Sequence, residues 1–338
     1  MKKTIINKAK SPIDQIIADL EKARNSKVLV YITGDRKVAN GPADALATGV
    51  ALDVLPLFKN ILTSNKKTKK ITLVLYTNGG HLNTPWPLVN LIREYCDFFE
   101  VIVLERALSA GTLISLGADR IVMSPYSFLS PIDPAANIQN ENSQKKKFEI
   151  EDIIGYIDFV KEKIGITEQQ ALCEIMKDLT KEITPTMLGS FNRTHSLVRR
   201  IAKELLSLHK EPISERQSKE IIENLVQKLF SHDHLISRQE AKRIGFDALI
   251  EYPDENTEKI LTNLLKNYTK LLELENDFNP VLEVGKAEKK EIDLVRAVVH
   301  SYKIKYDFKT KCLAQKIVDP AGNNQFAINF AEQKWTKI

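Results

Sequence analysis

Two glycine-bearing turns, each at the end of an apolar run, constrain the fold of this chain most. Asn78–Gly80 follows the apolar run 71–77, and Ser109–Thr112 follows the apolar run 101–104. A helix-like stretch, 84–95, lies between the two runs. The pattern predicts a strand–helix–strand unit, and parallel neighbouring strands place their carboxyl ends at the same edge of a sheet. We therefore expect the two turns to lie side by side.

The residue types at these turns are those of an acyl-transfer site. A Gly-Gly turn can present backbone N–H groups, and a serine at a strand-to-helix turn can expose its hydroxyl at a helix N-terminus. Each feature alone also has an ordinary structural interpretation, since glycine permits tight turns and serine is a common N-cap. Their combination at neighbouring strand ends favours a nucleophile, Ser109, beside an oxyanion hole.

Composition excludes several other classes of protein. The chain has 338 residues, 43% of them hydrophobic, which is enough for a large core and an appendage. The net charge of +5 is spread along the chain, so we expect no nucleic-acid partner. Cys96, Cys173 and Cys312 are far apart, which indicates neither a disulfide framework nor a zinc site.

No apolar run reaches the roughly 18 residues of a membrane span, and the N-terminus lacks the apolar region of a signal peptide. We therefore expect a cytoplasmic protein without a membrane span. No metal or nucleotide cofactor is indicated.

The order of apolar runs and helical patterns predicts an α/β fold class. Strands are expected at 28–33, 71–77, 101–104, 120–123 and 245–250. Helical spacing is found from Pro12 to about Lys22, at 42–62 and 84–95, after Ser109, and at 148–210, 214–230, 238–244 and 255–275. The alternation of the two patterns favours a mostly parallel sheet with right-handed crossovers. Residues 135–147 are predicted to form a polar loop.

From Ile292 onward the hydrophobic pattern changes from helical spacing to alternating apolar residues, with a turn at 319–324. This pattern predicts a small antiparallel β unit. We divide the chain into a domain at 1–254 and an extension at 255–338. Because small isolated β units are marginal in water, the extension must pack on the main domain or on a neighbouring subunit.

Four stretches together resemble a known family: Asn78–Gly80, Ser109–Thr112, Ala118–Pro125 and Ser130–Pro134. They are similar to the serine dehydrogenase proteinase family, in the clan of Clp peptidase and signal peptide peptidase (SppA). The resemblance covers roughly 25–250, and implies a crotonase-like fold of repeated ββα units with a helical insertion.

The resemblance also implies roles for individual residues. Ser109 occupies the nucleophile position, and the backbone N–H groups of Gly80 and Ala110 occupy the oxyanion-hole positions. Gly79 and His81 would line the substrate cleft.

The general base stays open at this point. In Clp peptidases a histidine would fall at about Ile132 or Asp133, and an aspartate near Leu229, so the usual triad is absent. SppA-like members use a lysine, and the matching position here is Lys147 or Lys146. A lysine activates serine only when burial lowers its pKa enough to make it neutral. The alternative interpretation is that these lysines form a solvated charge run.

His232 is the second candidate for the base, with Asp133 orienting it in a rearranged Ser-His-Asp set. The alternative is that His232 only braces the helix that closes the domain.

The resemblance implies a serine hydrolase, a peptidase that cleaves peptides or unfolded protein segments and assembles into a homo-oligomer. It favours packing of the C-terminal extension on a neighbouring subunit. Two alternatives remain. One is a catalytically inactive crotonase-fold binding or scaffold protein, which the missing Clp-type histidine favours. The other is an acyl-CoA enzyme of the crotonase type, which shares the oxyanion hole but needs no serine nucleophile.

Overall fold

A ten-stranded mixed sheet organises the chain. The computed structural model describes residues 11–39, 44–64, 67–132, 135–139, 145–228, 234–318 and 324–338. The strands are β1 Lys27–Thr33, β2 Thr68–Thr77, β3 Cys96–Ala107, β4 Arg120–Met123, β5 Phe128–Leu129, β6 Ala135–Gln139, β7 Lys145–Glu149, β8 Ile236–Ser237, β9 Ile250–Glu251, β10 Lys289–Ser301, β11 Lys305–Val318 and β12 Asn324–Lys337.

Helices pack around this sheet. They are α1 Pro12–Arg24, α2 Leu55–Thr63, α3 Pro85–Arg93, α4 Ala110–Leu116, α5 Ile150–Asp158, α6 Gln169–Glu182, α7 Pro185–Leu206, α8 Glu215–Glu223, α9 Arg238–Ala241, α10 Glu255–Leu271 and α11 Pro280–Val284. A tight helical turn, Leu52–Val54, precedes α2, and wider helical turns follow α5, α8 and α9 at Phe159–Ile164, Asn224–Lys228 and Lys242–Phe246.

The strand order is β12-β11-β10-β1-β2-β3-β4-β9. The strands β1, β2, β3, β4 and β9 are parallel, whereas β10 to β12 are antiparallel. β5 pairs with the end of β3 and with β8, and β6 and β7 form a separate hairpin. The predicted α/β fold class is confirmed.

The parallel strands bury both of their faces, as strands of an α/β sheet do. Leu29 and Tyr31 of β1 belong to a core that includes apolar residues of α2, α3, α4 and α7. Val28 and Val30 of β1 face the other way, into a core shared with α1 and α10. The period of two along the strand therefore divides the apolar residues between two helical layers.

The first helix begins where the sequence predicts. Ser11 and Asp14 form a reciprocal capping box, and Pro12 occupies the first turn. The helix ends two residues later than expected, at Arg24, and is followed by Asn25 in the left-handed conformation.

The helix expected at 42–62 is wrong for residues 44–51. Helical turns begin only at Leu52, and the segment 44–51 is irregular. The reason lies in its backbone hydrogen bonds, which go to strand ends: Thr48 N–H donates to Gly34 O at 2.8 Å, and Val50 N–H donates to Gly79 O at 2.8 Å. These bonds replace the local bonds that a helix would need.

Three further element predictions need correction. The predicted polar loop 135–147 contains most of the β6–β7 hairpin, in which Asn137 lies opposite Lys147. The strand predicted at 245–250 is reduced to Ile250–Glu251. The helix predicted to reach 275 ends at Leu271. Patterns within a segment do not reveal pairing between segments, so the sequence does not predict this hairpin.

The C-terminal strands are antiparallel, as predicted, but they continue the main sheet. β10 pairs with β1 from Leu29–Ser301 to Thr33–Ala297, and β11 and β12 follow outward. Val298 and Val299 are thereby fully buried on the two faces of their own chain's sheet. The expectation that this extension packs on a neighbouring subunit is wrong for these strands, because β10 pairs with β1 of its own chain.

Candidate active site

The turn after β2 is built around the hydroxyl of Thr77. This hydroxyl accepts hydrogen bonds from Thr33 Oγ1 at 2.7 Å and from Gly79 N–H at 3.0 Å. It also contacts the Gly79 carbonyl oxygen at 3.2 Å. Gly79 and Gly80 have φ angles of +111° and +153°, a backbone conformation that favours glycine. The backbone after β2 is thus fixed by Thr77 in a conformation that requires glycine at positions 79 and 80.

Close packing also requires glycine at both positions. A Cβ atom on Gly79 would lie 2.9 Å from Ser109 Cβ, and one on Gly80 would lie 2.3 Å from the backbone nitrogen and oxygen of Val50. The Gly79–Gly80 backbone therefore touches Ser109 on one side and Val50 on the other. The two turns singled out in the sequence do lie side by side.

The end of β3 bends before it reaches Ser109. Leu75 pairs with Val103 and Thr77 pairs with Ala107, so three residues of β3, Leu104–Arg106, lie opposite Tyr76 alone. Such an irregularity bends the strand and redirects the chain that follows it. The next residue, Leu108, donates its N–H to the Thr77 carbonyl oxygen at 2.9 Å, which ties the two strand ends together.

Ser109 has a backbone conformation that is rare for a residue with a side chain. Its φ and ψ angles are +48° and −108°, and it directly precedes α4. Its N–H donates to Ser130 Oγ at 2.8 Å, and its side chain is half-buried. Positive φ angles at residues other than glycine occur preferentially at functional sites, where the surrounding structure holds them.

Ser130 holds this turn and was not assigned a role from the sequence. It is 4% exposed, and its Oγ donates to the Pro131 carbonyl oxygen at 2.9 Å while accepting from Ser109. Thr112 Oγ1 lies 3.1 Å from Ser130 N and 3.0 Å from Ser130 O. The only sequence signal was its place in the Ser130–Pro134 stretch, which did not indicate a contact with Ser109.

Among the residues of the two turns, the backbone N–H groups of Asn78, Gly80, Ala110 and Thr112 have no acceptor within the described residues. Gly80 is exposed, and Ala110 is the first residue of α4. The first N–H groups of a helix have no partner inside it. The N–H of Gly80 is directed away from Val50, because the bonds to Val50 are made by Gly79 O and His81 N. Unsatisfied donors beside a half-buried serine hydroxyl can bind a negatively charged oxygen.

The candidate general bases all follow Ser130 in the chain. Asp133 and His232 lie outside the described residues. Lys146 and Lys147 lie in β7, opposite Ile138 and Asn137, but their side chains are outside the described part of the structure.

The other histidines have contacts elsewhere. His209 is buried and contacts the Leu116 carbonyl oxygen at 2.7 Å, and burial lowers the pKa of its imidazole. His234 contacts Glu240 at 2.9 Å, and His300 lies between Tyr268 and Asp307. His81 is exposed beside Gly80, and its N–H donates to Val50 O at 2.7 Å. These contacts are those of structural side chains for His209 and His300.

A charged cluster contacts the residue that precedes Gly79 and Gly80, Asn78. Arg106 pairs with Asp35 at 2.6 Å, and its guanidinium lies 4.7 Å from the centre of the Tyr76 ring. Asp35 also accepts a hydrogen bond from Asn78 Nδ2 at 3.0 Å. Burial raises the pKa of the Tyr76 phenol, so it remains a hydrogen-bond donor at neutral pH. The cluster connects the bend of β3 to the first residue of the turn.

No group of three or more histidine, cysteine, aspartate or glutamate side chains within the described ranges could hold a metal ion. No helix among the described residues combines the length and the apolar character needed to cross a membrane.

Two curated relatives come from Methanocaldococcus jannaschii. The uncharacterized protein MJ0137 is 24% identical over 252 residues, which cover 71% of this chain and 74% of the relative. The uncharacterized protein MJ1495 is 20% identical over 183 residues, which cover 54% of this chain and 53% of the relative.

Solved structures of proteases are similar to this chain at low identity. A mutant of the 1510-N membrane-bound stomatin-specific protease in complex with a substrate peptide has 18% identity and a TM-score of 0.38, covering 62% of this chain and 74% of its own. ClpP1 from Listeria monocytogenes has 15% identity and a TM-score of 0.37, covering 72% of this chain and 97% of its own.

A family model matches more than half of the chain. It is described as ClpP-like SDH-type serine proteinase, and it matches residues 2–186, which include both glycine turns and Ser130. The resemblance stated from the sequence is confirmed, and at family level the chain is a serine peptidase. The chain belongs to the ClpP-like SDH-type serine proteinase family.

Proposed function

We propose that this protein is a serine peptidase in which Ser109 is the nucleophile. The observation that carries the proposal is the conformation of Ser109: a half-buried serine with a φ angle of +48°, in contact with Gly79 and fixed by Ser130. A serine that only capped a helix would accept a bond from the first turn, and Ser109 makes no such side-chain bond.

The backbone N–H groups of Gly80 and Ala110 form the oxyanion hole in this proposal. Ser109 Oγ attacks the carbonyl carbon of a peptide bond, and the carbonyl oxygen gains a negative charge that the two N–H groups stabilise. The proton of Ser109 passes to a base, which then protonates the leaving amine. Water hydrolyses the resulting ester, releases the acid product and regenerates the serine hydroxyl.

The base is Lys147, or else His232 oriented by Asp133. Lys147 is favoured by its place in β7, since the β6–β7 hairpin follows Ser130 closely in the chain and leads into α5. Successive residues of a strand face opposite sides of the sheet, so Lys146 and Lys147 cannot both face the same side. Substrates are peptides or unfolded protein segments, for which the exposed backbone of Gly80 and the adjacent His81 form one wall of the cleft.

A fluorophosphonate tests the nucleophile because it forms a covalent bond only with an activated serine. We expect the wild-type protein to be labelled and the peptide that contains Ser109 to carry the label in mass spectrometry. Ser109→Ala should abolish labelling. Ser124→Ala is the matched control: Ser124 is also half-buried, but its hydroxyl bonds to Glu258 at 2.7 Å, so labelling should persist. Absence of label on the wild-type protein would favour an inactive binding protein or an acyl-CoA enzyme.

We further propose that the protein works as a cytoplasmic homo-oligomer that restricts access to Ser109. Large apolar side chains are exposed along the helical segment from α5 to α7, and coverage by another subunit would remove them from water. They are Tyr156, Phe159, Ile164, Met176 and Leu197. Light scattering at micromolar concentration should give a mass above the 38.4 kDa of one chain. A monomer mass would contradict the assembly without affecting the assignment of Ser109.

A further inference from the structure

The C-terminal strand β10 reaches the segment that supports the Gly79–Gly80 turn. The register between β10 and β11 shifts between Val295 and Ala297, so Arg296 is an extra residue in β10. A bulge of this kind turns a side chain out of the regular alternation of a strand. Arg296 is 9% exposed, and it lies outside the residues 2–186 that the family model matches.

The guanidinium of Arg296 binds the backbone of one short segment. Its Nε donates to the Leu46 carbonyl oxygen at 2.8 Å, and its Nη2 donates to the Ala47 carbonyl oxygen at 2.7 Å. Nη1 makes longer contacts with Thr310 Oγ1 at 3.4 Å and Gln333 Oε1 at 3.3 Å. Because a guanidinium is a rigid fork of donors, two short bonds to adjacent carbonyl groups fix the position of that segment.

The backbone of Arg296 holds the same segment from the other side. Its carbonyl oxygen accepts from Gly34 N–H at 2.8 Å and from Thr48 Oγ1 at 3.0 Å. Thr48 N–H in turn donates to Gly34 O at 2.8 Å. Residues 46–48 are therefore held by the end of β1 and by the bulge of β10 together.

The segment that Arg296 holds continues directly into the support of the Gly79–Gly80 turn. Val50 N–H donates to Gly79 O at 2.8 Å, and His81 N–H donates to Val50 O at 2.7 Å. A Cβ on Gly49 would lie 3.0 Å from Gly79 O, so the two backbones are in contact. The position of Val50 thus determines the orientation of the peptide group that carries the Gly80 N–H.

We propose that Arg296 is a positioning residue for the oxyanion hole. It fixes residues 46–48, these fix Val50, and Val50 orients the Gly80 N–H beside Ser109. The inference rests on the proposed role of Gly80 in catalysis. It makes β10, which lies outside the family match, a functional part of the peptidase site as well as a strand of the sheet.

Hydrogen exchange of the full-length protein tests the connection independently of activity. In Arg296→Met, we expect the amides of Val50 and His81 to exchange about ten-fold faster, while amides in the centre of β1 and β2 stay within about two-fold of wild type. Cys96→Ala is the matched control: Cys96 is a buried residue at the start of β3 whose sulfur contacts the Ile92 carbonyl oxygen, and its replacement should leave Val50 and His81 unchanged.

Thr48→Val provides a second variant in case Arg296→Met does not fold. It has nearly the same shape as threonine, but it loses the hydroxyl bonds to Gly34 O and Arg296 O. We expect faster exchange at the same two amides, with a smaller increase. Unchanged exchange at Val50 and His81 in every folded variant would overturn the proposal.

Kinetics separate positioning from a purely structural role. Arg296→Met should lower kcat by about 10- to 100-fold, below the loss expected for removing an oxyanion donor outright, with KM within about two-fold. Arg296→Lys retains one donor and should recover part of kcat. Faster exchange with an unchanged kcat would overturn the catalytic consequence. A wild-type protein without fluorophosphonate labelling would refute the proposed function, whereas the exchange data would still decide whether Arg296 holds the turn.

Discussion

The two ends of the parallel strands differ in how completely their polar groups are satisfied. At the beginning of β3, the carboxylate of Glu100 is fully buried and contacts Arg24 Nε at 3.0 Å, Lys70 Nζ at 2.9 Å and Thr72 Oγ1 at 2.9 Å. Beyond the carboxyl ends of β2 and β3, the N–H groups of Gly80 and Ala110 have no acceptor among the described residues.

Backbone strain is concentrated at the carboxyl ends of the strands, although Asn25, which ends α1 just before β1, also has a positive φ angle. Near the carboxyl ends of the strands, Glu105 and Ser109 have positive φ angles, as do Gly79 and Gly80. No residue of β1 to β4 other than Glu105 is among the described residues with positive φ. Strained backbone conformations occur preferentially at functional sites, where interactions in the rest of the fold offset their cost. We therefore expect substitutions at one end to change activity and substitutions at the other to change stability.

We call the carboxyl ends of the parallel strands, with Gly80 and Ser109, the site end, and their amino ends, with Glu100, the stability end. The largest expected effect concerns the general base of the candidate site. If Lys147 is the base, Lys147→Ala should lower kcat by roughly 10⁴- to 10⁶-fold and His232→Ala should have little effect. If His232 is the base, the pattern reverses and the pH–rate profile rises near neutral pH, because an imidazole loses its proton there. Peptide hydrolysis measured across pH decides between them. Full activity in both variants would remove both residues from the mechanism.

Gly80→Ala should lower kcat by roughly 10²- to 10³-fold, the range for loss of one oxyanion-hole donor. The added methyl group would overlap the backbone of Val50, so the peptide group must rotate to relieve the clash. Gly189→Ala is the control: Gly189 lies in α7 with nothing near its added Cβ, and alanine stabilises a helix interior by up to about 1 kcal/mol. Steady-state kinetics and urea unfolding of both variants measure the contrast. Equal kcat in the two variants would argue against Gly80 as a donor.

Glu100→Gln tests the stability end. Glu100→Gln removes the buried carboxylate that Arg24 and Lys70 share, and Arg24 keeps only its ion pair with Glu251 at 2.8 Å. We therefore expect the free energy of unfolding to fall by about 3 kcal/mol. Urea unfolding measures this loss. Because Glu100 lies at the opposite end of β3 from Ser109, kcat of the folded protein should stay within two-fold of wild type. A large drop in kcat without loss of stability would break the division between the two ends.

The pH dependence of this stability difference has a defined sign. Burial raises the pKa of Glu100, but the hydrogen bonds and charges of Arg24 and Lys70 outweigh burial, so the folded pKa lies below the usual value of 4.5. Glu100 therefore contributes its full stability above about pH 4.5, and the contribution disappears as the pH falls through the folded pKa. The difference between wild type and Glu100→Gln should shrink on acidification.

The local geometry of the candidate site could be predicted from the sequence more completely than the strand bounds and pairing of the sheet. Gly79, Gly80 and Ser109 could be singled out because their residue types and spacing reflect local backbone geometry. The beginning of β3 was missed because Asp97 and Glu100 interrupt its apolar pattern, although Glu100 is buried through partners on α1 and β2. The pairing of β10 with β1 joins residues that are distant in the chain, and no local pattern encodes such a contact.

The role of Ser130 was also beyond local patterns, and it gives the smallest expected effect. Ser130→Ala removes the acceptor of the Ser109 N–H and leaves that group without its bond of 2.8 Å. A net hydrogen bond of this kind contributes about 1 kcal/mol, so the conformation of Ser109 should loosen without the turn unfolding. We expect kcat to fall about five- to ten-fold, which is the rate equivalent of that energy.

Ser127→Ala is a closely matched control for this prediction. Ser127 is a buried serine three residues away, whose Oγ accepts from Ser124 N–H at 3.0 Å and donates to the Val103 carbonyl oxygen at 2.6 Å. It makes the same two kinds of bond as Ser130 but does not contact Ser109. Both variants should lose about 1 kcal/mol of unfolding free energy, and only Ser130→Ala should lose activity. If Ser127→Ala lowered kcat equally, the effect would come from general loosening around β5, and the particular support of Ser109 by Ser130 would be refuted.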